Sequence, residues 1–223
     1  MNILVIADNI RAQEFKQKVA SLNNIQIVYT EPNESVTLDL LNHYEVVFDL
    51  NFNGNEISME HYAKIQNRII VLNAVTNSLH QFYAAIHHSK SFFVGINALP
   101  TFINKPKAEL SVCKTSHQPM ITKLFEKLNW QTEFVSDRVG MITPRVVCMI
   151  INEACYTLQE GTASKNDIDL AMKLGTNYPF GPFEWMEKIG IKNVYATLQA
   201  LYSDTKDERY KICPLLKTWY LQS

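Results

Sequence analysis

The sequence predicts an α/β chain in two parts: a reduced doubly wound domain over residues 1–138, followed by an all-helical domain over residues 139–223. The first observation behind this prediction is that short β-type apolar runs alternate with helical stretches through the first part, which is typical of βαβ units and a mainly parallel sheet. The second is a change after Gly140, where apolar residues recur at spacings of three and four and therefore indicate helices.

Five apolar runs of strand length predict the parallel strands of the first domain. They are residues 2–7, 25–29, 45–50, 69–72 and 92–96. The helical stretches between them are residues 10–22, 58–67 and 77–88. Because parallel strands need crossover connections, and these are right-handed, the alternation predicts a doubly wound sheet.

A long amphipathic helix over residues 141–160 opens the second domain, and Gly161 suits its C-terminal cap. Ser164, with Asp167 three residues later, has the pattern of a capping box for the next helix. That helix runs to Gly175, a further helix begins at Gly181-Pro182 and ends at Gly190, and another begins over residues 192–202.

Charge and glycine content exclude two kinds of site. The 21 Lys and Arg residues are balanced by 22 Asp and Glu residues, so no basic field exists to hold a nucleic-acid backbone, and we expect no nucleic-acid partner. The chain has seven glycines, and the first is Gly54. Neither G-x-G-x-x-G nor G-x-x-x-x-G-K-[ST] therefore occurs, so no glycine-rich phosphate loop can follow the first strand.

The four cysteines and the apolar runs bear on compartment. No two cysteines form C-x-x-C, and no paired Cys/His spacing suggests structural zinc. The N-terminal apolar run has no basic stretch before it, and no apolar run approaches the length of a membrane-spanning helix. We therefore expect a reduced, cytoplasmic protein with no metal and no membrane partner.

Residues 151–190 carry a specific pattern. Its anchors are Asn152-Glu153-Ala154, Glu160-Gly161, Asp167-Ile168-Asp169, Gly175, Tyr178-Pro179 and Gly181-Pro182-Phe183-Glu184. This stretch resembles the C-terminal domain of 3-hydroxyacyl-CoA dehydrogenases, and the first domain is similar to that family's in the order of its elements. The resemblance implies a shortened Rossmann-like doubly wound domain followed by an all-helical domain of the 3-hydroxyacyl-CoA dehydrogenase C-terminal type.

The same resemblance implies an activity and an assembly. Members of the family act in fatty acid metabolism and use NAD to oxidise a 3-hydroxyacyl-CoA to the 3-ketoacyl-CoA. A His takes the hydroxyl proton as hydride leaves for the nicotinamide, and a Glu orients that His. Their helical domains usually dimerise, so an NAD-linked, acyl-CoA-binding homodimer is the expectation for this chain.

Carried over residue by residue, the cofactor motif is altered. Ala7, Asn9 and Ala12 stand where the family's three glycines follow the first strand. Asn9 would place a side chain where phosphate lies, so NAD binding is expected to be weakened by the loss of this fingerprint. Glu31, at the end of the second strand, is placed like the acid that holds the adenosine ribose; it could equally be a solvated residue at a strand end.

The catalytic positions are altered as well. In Gly95–Pro100, Asn97 stands where the family has its His, and an amide cannot serve as the general base. Glu109, twelve residues on, has the spacing of the His-orienting Glu. Asn77 aligns with the family's substrate-contacting Ser, and Pro144 with its Asn on the first C-terminal helix. The standard reaction is therefore expected to be weak or lost, unless Glu109 acts directly as the base.

Other candidate residues have two interpretations each. The helix with His80, His87 and His88 could supply a metal pair, but a solvated face is favoured because the same helix offers no carboxylate. His117 reads as a surface loop residue. Four aromatic residues could line a ligand cleft or pack in the core: Tyr178, Phe180, Phe183 and Trp185. Lys105 and Lys107 could contact a CoA phosphate or simply belong to the solvated surface.

Three functions remain open at this level. The first is a divergent 3-hydroxyacyl-CoA dehydrogenase-like oxidoreductase with a rearranged site. The second is a non-catalytic dimer that binds acyl-CoA or a nucleotide and acts as a regulator. The third is an interaction protein that keeps only the dimer scaffold.

Overall fold

The computed structural model describes residues 1–32 and 36–223. The chain divides into two compact units, Met1–Met141 and Ile142–Ser223. The division lies three residues after the boundary expected from the sequence. None of the helices in the described part of the chain combines the length and the apolar character needed to cross a membrane.

The first unit is built on one seven-stranded sheet in the order β2-β1-β3-β4-β5-β6-β7. Neighbouring strands are parallel except β5 and β6, which are antiparallel. The strands are β1 Asn2–Ile6, β2 Gln26–Thr30, β3 Val46–Asp49, β4 Ile69–Asn73, β5 Phe92–Ile96, β6 Lys107–Val112 and β7 Gln131–Phe134. After β2 the chain returns to the other side of β1, which confirms the predicted doubly wound α/β class.

Five helices connect these strands. They are α1 Asn9–Val19, α2 Leu38–Asn42, α3 Glu56–Lys64, α4 Tyr83–His88 and α5 Gln118–Lys127, with 3₁₀ turns at Leu79–Phe82 and Thr115–His117. The helical stretches predicted from the sequence include none between the second and third strands, whereas the structure has the short helix α2 there. Helix α5 and strands β6 and β7 were not predicted either.

Both faces of the sheet are buried, which explains the continuous apolar runs of its central strands. Successive side chains of a strand point to opposite faces, so Ile3 and Val5 of β1 join one core cluster while Leu4 and Ile6 join the other. Phe15 of α1 packs edge-on against Phe48 in the first cluster, with ring centroids 5.0 Å apart. Because β1, β3, β4 and β5 pair in parallel, their carboxyl ends lie at one edge of the sheet.

The second unit is helical, as expected, and α6 lies at its centre. Its helices are α6 Thr143–Gln159, α7 Lys165–Thr176, α8 Pro182–Ile189, α9 Ile191–Thr205 and α10 Pro214–Leu221. Buried Asn152 of α6 donates to the Lys211 carbonyl at 2.9 Å and accepts the Cys213 N–H at 2.9 Å. This side chain therefore ties the centre of the unit to the start of α10, a helix that the sequence analysis did not predict.

The motif residues of the second unit hold helices α7 and α8 together. The Asp169 carboxylate accepts the backbone N–H groups of Phe183 at 2.8 Å and Glu184 at 3.3 Å, so it caps the N-terminus of α8. A Cβ atom on Gly181 would overlap the same carboxylate, which is why glycine occupies that position. Lys173 donates to Glu184 at 2.6 Å. The conspicuous sequence pattern is thus a helix-packing device.

Candidate functional site

The carboxyl ends of β1 and β3 form a crevice at the point where the strand order reverses. In open α/β sheets ligands bind at such a switch point. The turn after β1 contains Ala7, which is buried, and Asn9, which is exposed at the first position of α1. Ala12, the third altered glycine position, is buried against the core of the sheet.

Asp8, which the sequence analysis did not single out, fills the turn after β1. Its backbone is extended and its carboxylate caps α1, accepting the Arg11 N–H at 2.9 Å. The same carboxylate accepts the Asn51 side-chain amide at 2.8 Å and forms an ion pair with the Arg11 guanidinium. Arg11 in turn donates to the Ala98 carbonyl at 2.8 Å. An Asp immediately before a helical run is an N-cap signal, so this residue was detectable in the sequence.

Asp8 is ionised at neutral pH. Partial burial by itself would raise its pKa, but the hydrogen bonds from the Arg11 backbone and Asn51 and the Arg11 charge hold its pKa below the usual 3.8. A pyrophosphate in a dinucleotide site binds at such a helix N-terminus, on its free N–H groups. Here the Asp8 carboxylate takes one of those donors, the Arg11 N–H, and its negative charge would repel that of a phosphate. The Asp8 side chain therefore disfavours a pyrophosphate at the turn after β1.

Beside this turn lies a cavity of about 540 Å³, lined by residues of β3 and α3 and of the loops around them. Asp49 lies at its edge and is 7% exposed. The Tyr62 hydroxyl of α3 donates a hydrogen bond to the Asp49 carboxylate at 2.8 Å, and the Asn51 N–H donates one to the same carboxylate at 3.1 Å. Burial raises the pKa of Asp49 to about 6 in spite of these hydrogen bonds, and it raises the pKa of Tyr62 as well. Glu31, just past β2, is exposed.

The end of β5 brings Asn97 beside Glu109. Asn97 is 4% exposed. Its side-chain amide donates to the Glu109 carboxylate at 3.4 Å, its side-chain oxygen accepts the Leu99 N–H at 3.3 Å, and its backbone N–H donates to the Glu109 carbonyl at 3.0 Å. The antiparallel pairing of β5 with β6 produces this contact. The pair has the placement that the resemblance implies for base and orienting acid, with an amide in place of the imidazole.

Asn77 and Pro144 are the other two catalytic candidates. Asn77 follows β4, is partly exposed and donates its side-chain amide to the Thr76 hydroxyl at 3.0 Å. Pro144 is buried at the second residue of α6, in the second unit. Its ring suits the first turn of a helix, which accounts for it without a ligand.

His80, His87 and His88 are exposed, as the favoured interpretation of that stretch expected, but His80 also has a carboxylate partner. It lies in the 3₁₀ turn before α4, and its ring Nδ1 is 2.6 Å from the Asp137 carboxylate. This carboxylate comes from the segment after β7. His80 therefore has a carboxylate partner although its own helical stretch contains none. His87 packs at 5.1 Å on the ring of Tyr83 and at 5.0 Å on that of His88.

The remaining candidates have ordinary structural surroundings. Lys107 pairs with Glu133 across β6 and β7 at 3.1 Å, and both side chains are exposed. The ring of half-buried His117 lies 5.0 Å from Phe92. Phe183 and Trp185 are buried in the second unit, with Phe180 edge-on to Trp185 at 5.0 Å. Tyr178 is exposed, and the backbone carbonyl of Lys105 accepts a hydrogen bond from Lys18.

The second unit carries an apolar groove of about 450 Å³ between α6 and α7. Ile150, Ala154, Ile168 and Met172 are among the residues that line it. Large apolar side chains are exposed on the same two helices: Val146, Leu170 and Leu174.

Known proteins resemble the two units to different degrees. Residues 140–222 match the family described as 3-hydroxyacyl-CoA dehydrogenase, C-terminal domain. A 3-hydroxyadipyl-CoA dehydrogenase of Escherichia coli is 46% identical over 83 residues, 37% of this chain and 18% of that protein. A probable 3-hydroxybutyryl-CoA dehydrogenase of Bacillus subtilis is 36% identical over 99 residues, 44% of this chain and 34% of that protein. The chain thus spans about a third or less of these relatives in the matched part.

Solved structures extend the likeness of fold to both units. The (S)-3-hydroxybutyryl-CoA dehydrogenase of Ralstonia eutropha superimposes with a TM-score of 0.76 at 19% identity, over 99% of this chain and 93% of that one. The Mycobacterium tuberculosis FadB2 structure gives 0.77 at 14% identity, over the same shares. Identities this low show a common fold. Together with the sequence match of the helical unit, they show that residues 140–222 are similar to the C-terminal domain of 3-hydroxyacyl-CoA dehydrogenases and that the chain shares the fold of these enzymes.

Proposed function

We propose that this chain is a divergent member of the 3-hydroxyacyl-CoA dehydrogenase family that carries out no NAD-linked hydride transfer. The observation that carries this proposal is the Asp8 carboxylate, which occupies the α1 N-terminus where a dinucleotide pyrophosphate would bind. Asn97 supports it independently, because an amide at the position of the general base cannot accept the substrate proton. Removal of a proton-transfer group alone costs about 10²–10⁴-fold in rate.

In place of catalysis, the proposed role is the binding of an acyl-CoA. This is the ligand class that the family relationship suggests. The relatives named above are dehydrogenases of 3-hydroxyadipyl-CoA and 3-hydroxybutyryl-CoA. In this chain Asn97 is hydrogen-bonded to Glu109 and Leu99, so its uncharged amide is held in place. A regulator that responds to acyl-CoA needs binding of this kind and no redox cofactor.

A thermal-shift screen with NADH, acetyl-CoA and acetoacetyl-CoA tests this proposal. A ligand that binds only the folded state raises the melting temperature. A shift with either acyl-CoA and none with NADH is expected. A shift with NADH would contradict the proposal, and the absence of any shift would favour a protein that keeps only the scaffold.

We also propose that the second unit forms a homodimer through the groove between α6 and α7. Leu174 is 78% exposed and Val146 is 50% exposed, next to an apolar groove of a kind that monomeric proteins seldom leave uncovered. The variant Leu174→Glu should be a monomer by light scattering at micromolar concentration, while wild type is a dimer. Leu221→Glu is the matched control, since Leu221 is similarly exposed but lies on α10, whereas Leu174 lies on α7, one of the two helices that form the groove. A monomeric wild type would refute the dimer.

A further inference from the structure

Three potential metal ligands from distant parts of the chain converge at one edge of the first unit. His80 lies in the 3₁₀ turn after β4, Cys113 directly follows β6, and Asp137 follows β7. Each offers one ligand atom, and these atoms lie within 4.8 Å of one another. Within residues 1–32 and 36–223, which the structure describes, this is the group of three His, Cys, Asp or Glu side chains that could hold an ion.

Asp137 is held rigidly at the centre of this group. Its side chain is only 3% exposed. One carboxylate oxygen accepts the Leu79 N–H at 3.0 Å and the Ser111 hydroxyl at 2.9 Å, and the other accepts the His80 N–H at 2.9 Å. Metal-binding carboxylates are typically oriented by such hydrogen bonds from their surroundings. The carboxylate is therefore fixed before any ion arrives.

We propose that His80, Cys113 and Asp137 form a site for a divalent transition-metal ion of the zinc class. An imidazole nitrogen, a thiolate sulfur and a carboxylate oxygen are all zinc ligands, whereas a thiolate disfavours Mg²⁺ and Ca²⁺, which take oxygen ligands. With the thiol deprotonated on binding, one thiolate and one carboxylate balance the charge of the ion. Three protein ligands leave a fourth tetrahedral position for water or a small anion.

The present geometry needs only a small adjustment to hold the ion. Ligand atoms at about 2.0–2.3 Å from zinc in a tetrahedron lie roughly 3.3–3.7 Å from one another. His80 Nδ1 is now 2.6 Å from Asp137, so these two atoms must separate by less than about 1 Å. The His80 side chain is 56% exposed and is free to rotate by this amount, while the buried carboxylate keeps its place.

Cys113 distinguishes the metal site from a simpler explanation. Asp137 could serve only to cap the 3₁₀ turn and to pair with His80, and the hydrogen bonds just described are sufficient for that. Such a role makes no use of the half-buried Cys113 thiol. Cys113 also packs against a core cluster, but only metal binding requires a thiolate ligand. The variant Cys113→Ser therefore separates the two explanations while nearly preserving the size of the side chain.

Cobalt(II) titration of the chelator-treated protein, free of any affinity tag, tests this inference. Wild type should bind one equivalent of cobalt with a thiolate-to-cobalt charge-transfer absorption band, and added zinc should abolish the band. Cys113→Ser should lose the band, and both it and His80→Ala should bind zinc at least about tenfold more weakly. His87→Ala is the matched control, since it removes an exposed imidazole of α4 outside the group, and it should bind like wild type.

Two results would overturn the metal site. One is the absence of the charge-transfer band in the wild-type protein. The other is a band of unchanged intensity in Cys113→Ser. Both readouts are spectroscopic and independent of catalysis, so they remain decisive whether or not the protein transfers hydride. Circular dichroism of each variant shows that it is folded.

Discussion

Replacing Asp49 by Asn should stabilise the first unit at neutral pH. Burial raises the pKa of Asp49 to about 6, from 3.8, so the folded state holds a proton more tightly than the unfolded state does. Ionisation of the carboxylate therefore costs folding free energy. This cost is absent below the unfolded pKa, where both states are protonated, and grows as the pH rises from about 4 to about 6.

The size of the effect follows from the difference between the two pKa values. A difference of about two units at 1.36 kcal/mol each gives a penalty of roughly 3 kcal/mol above pH 7. Asn keeps an acceptor for the Asn51 N–H, and its amide can donate to the Tyr62 hydroxyl oxygen. Asp49→Asn should therefore gain up to about 3 kcal/mol near pH 7.5 and well under 1 kcal/mol near pH 4.

Calorimetric unfolding at these two pH values checks the prediction. About 3 kcal/mol corresponds to a rise in melting temperature of roughly 6–12 °C for a chain of this size. Asp39→Asn, at an exposed position in α2, is the control and should show no such pH-dependent gain. An equal gain for Asp49→Asn at both pH values, or no gain at neutral pH, would refute the reasoning.

Two further substitutions test the site and the sheet. Asp8→Ala removes the cap of α1 and should cost about 1 kcal/mol of stability. Because it also frees the Arg11 N–H, ADP should bind measurably tighter by calorimetry. Unchanged ADP binding would argue against the carboxylate as the blocking group. Gly95→Ala places a Cβ atom onto Ser111 and Ala74. Overpacking of this kind should lower the free energy of unfolding in urea by about 1–3 kcal/mol, and an unchanged midpoint would show that the sheet has room there.

The central strands of the first unit could be predicted because they are buried on both faces. β1, β3, β4 and β5 are continuous apolar runs for this reason. By contrast, β6 mixes buried residues with exposed and half-buried ones, and no residue of β7 is fully buried. The polar composition of these two strands hid them, and with them the antiparallel step in the sheet.

The site was predictable where it depends on local spacing. The juxtaposition of Asn97 and Glu109 was implied by their spacing of twelve residues, read through the family resemblance, and the structure brings the two together. Asp8 carried a local helix-cap signal that went unused. Asp137 carried no local signal, because its partner His80 is 57 residues away in the sequence. Only the folded sheet places these two side chains next to each other.

The proposal that this chain transfers no hydride is tested most directly by following NADH oxidation in the presence of acetoacetyl-CoA and the purified protein. The account predicts a rate equal to that of a protein-free control, because Asp8 excludes the dinucleotide phosphates and Asn97 cannot move the proton. Sustained turnover that depends on both NADH and acetoacetyl-CoA would contradict it.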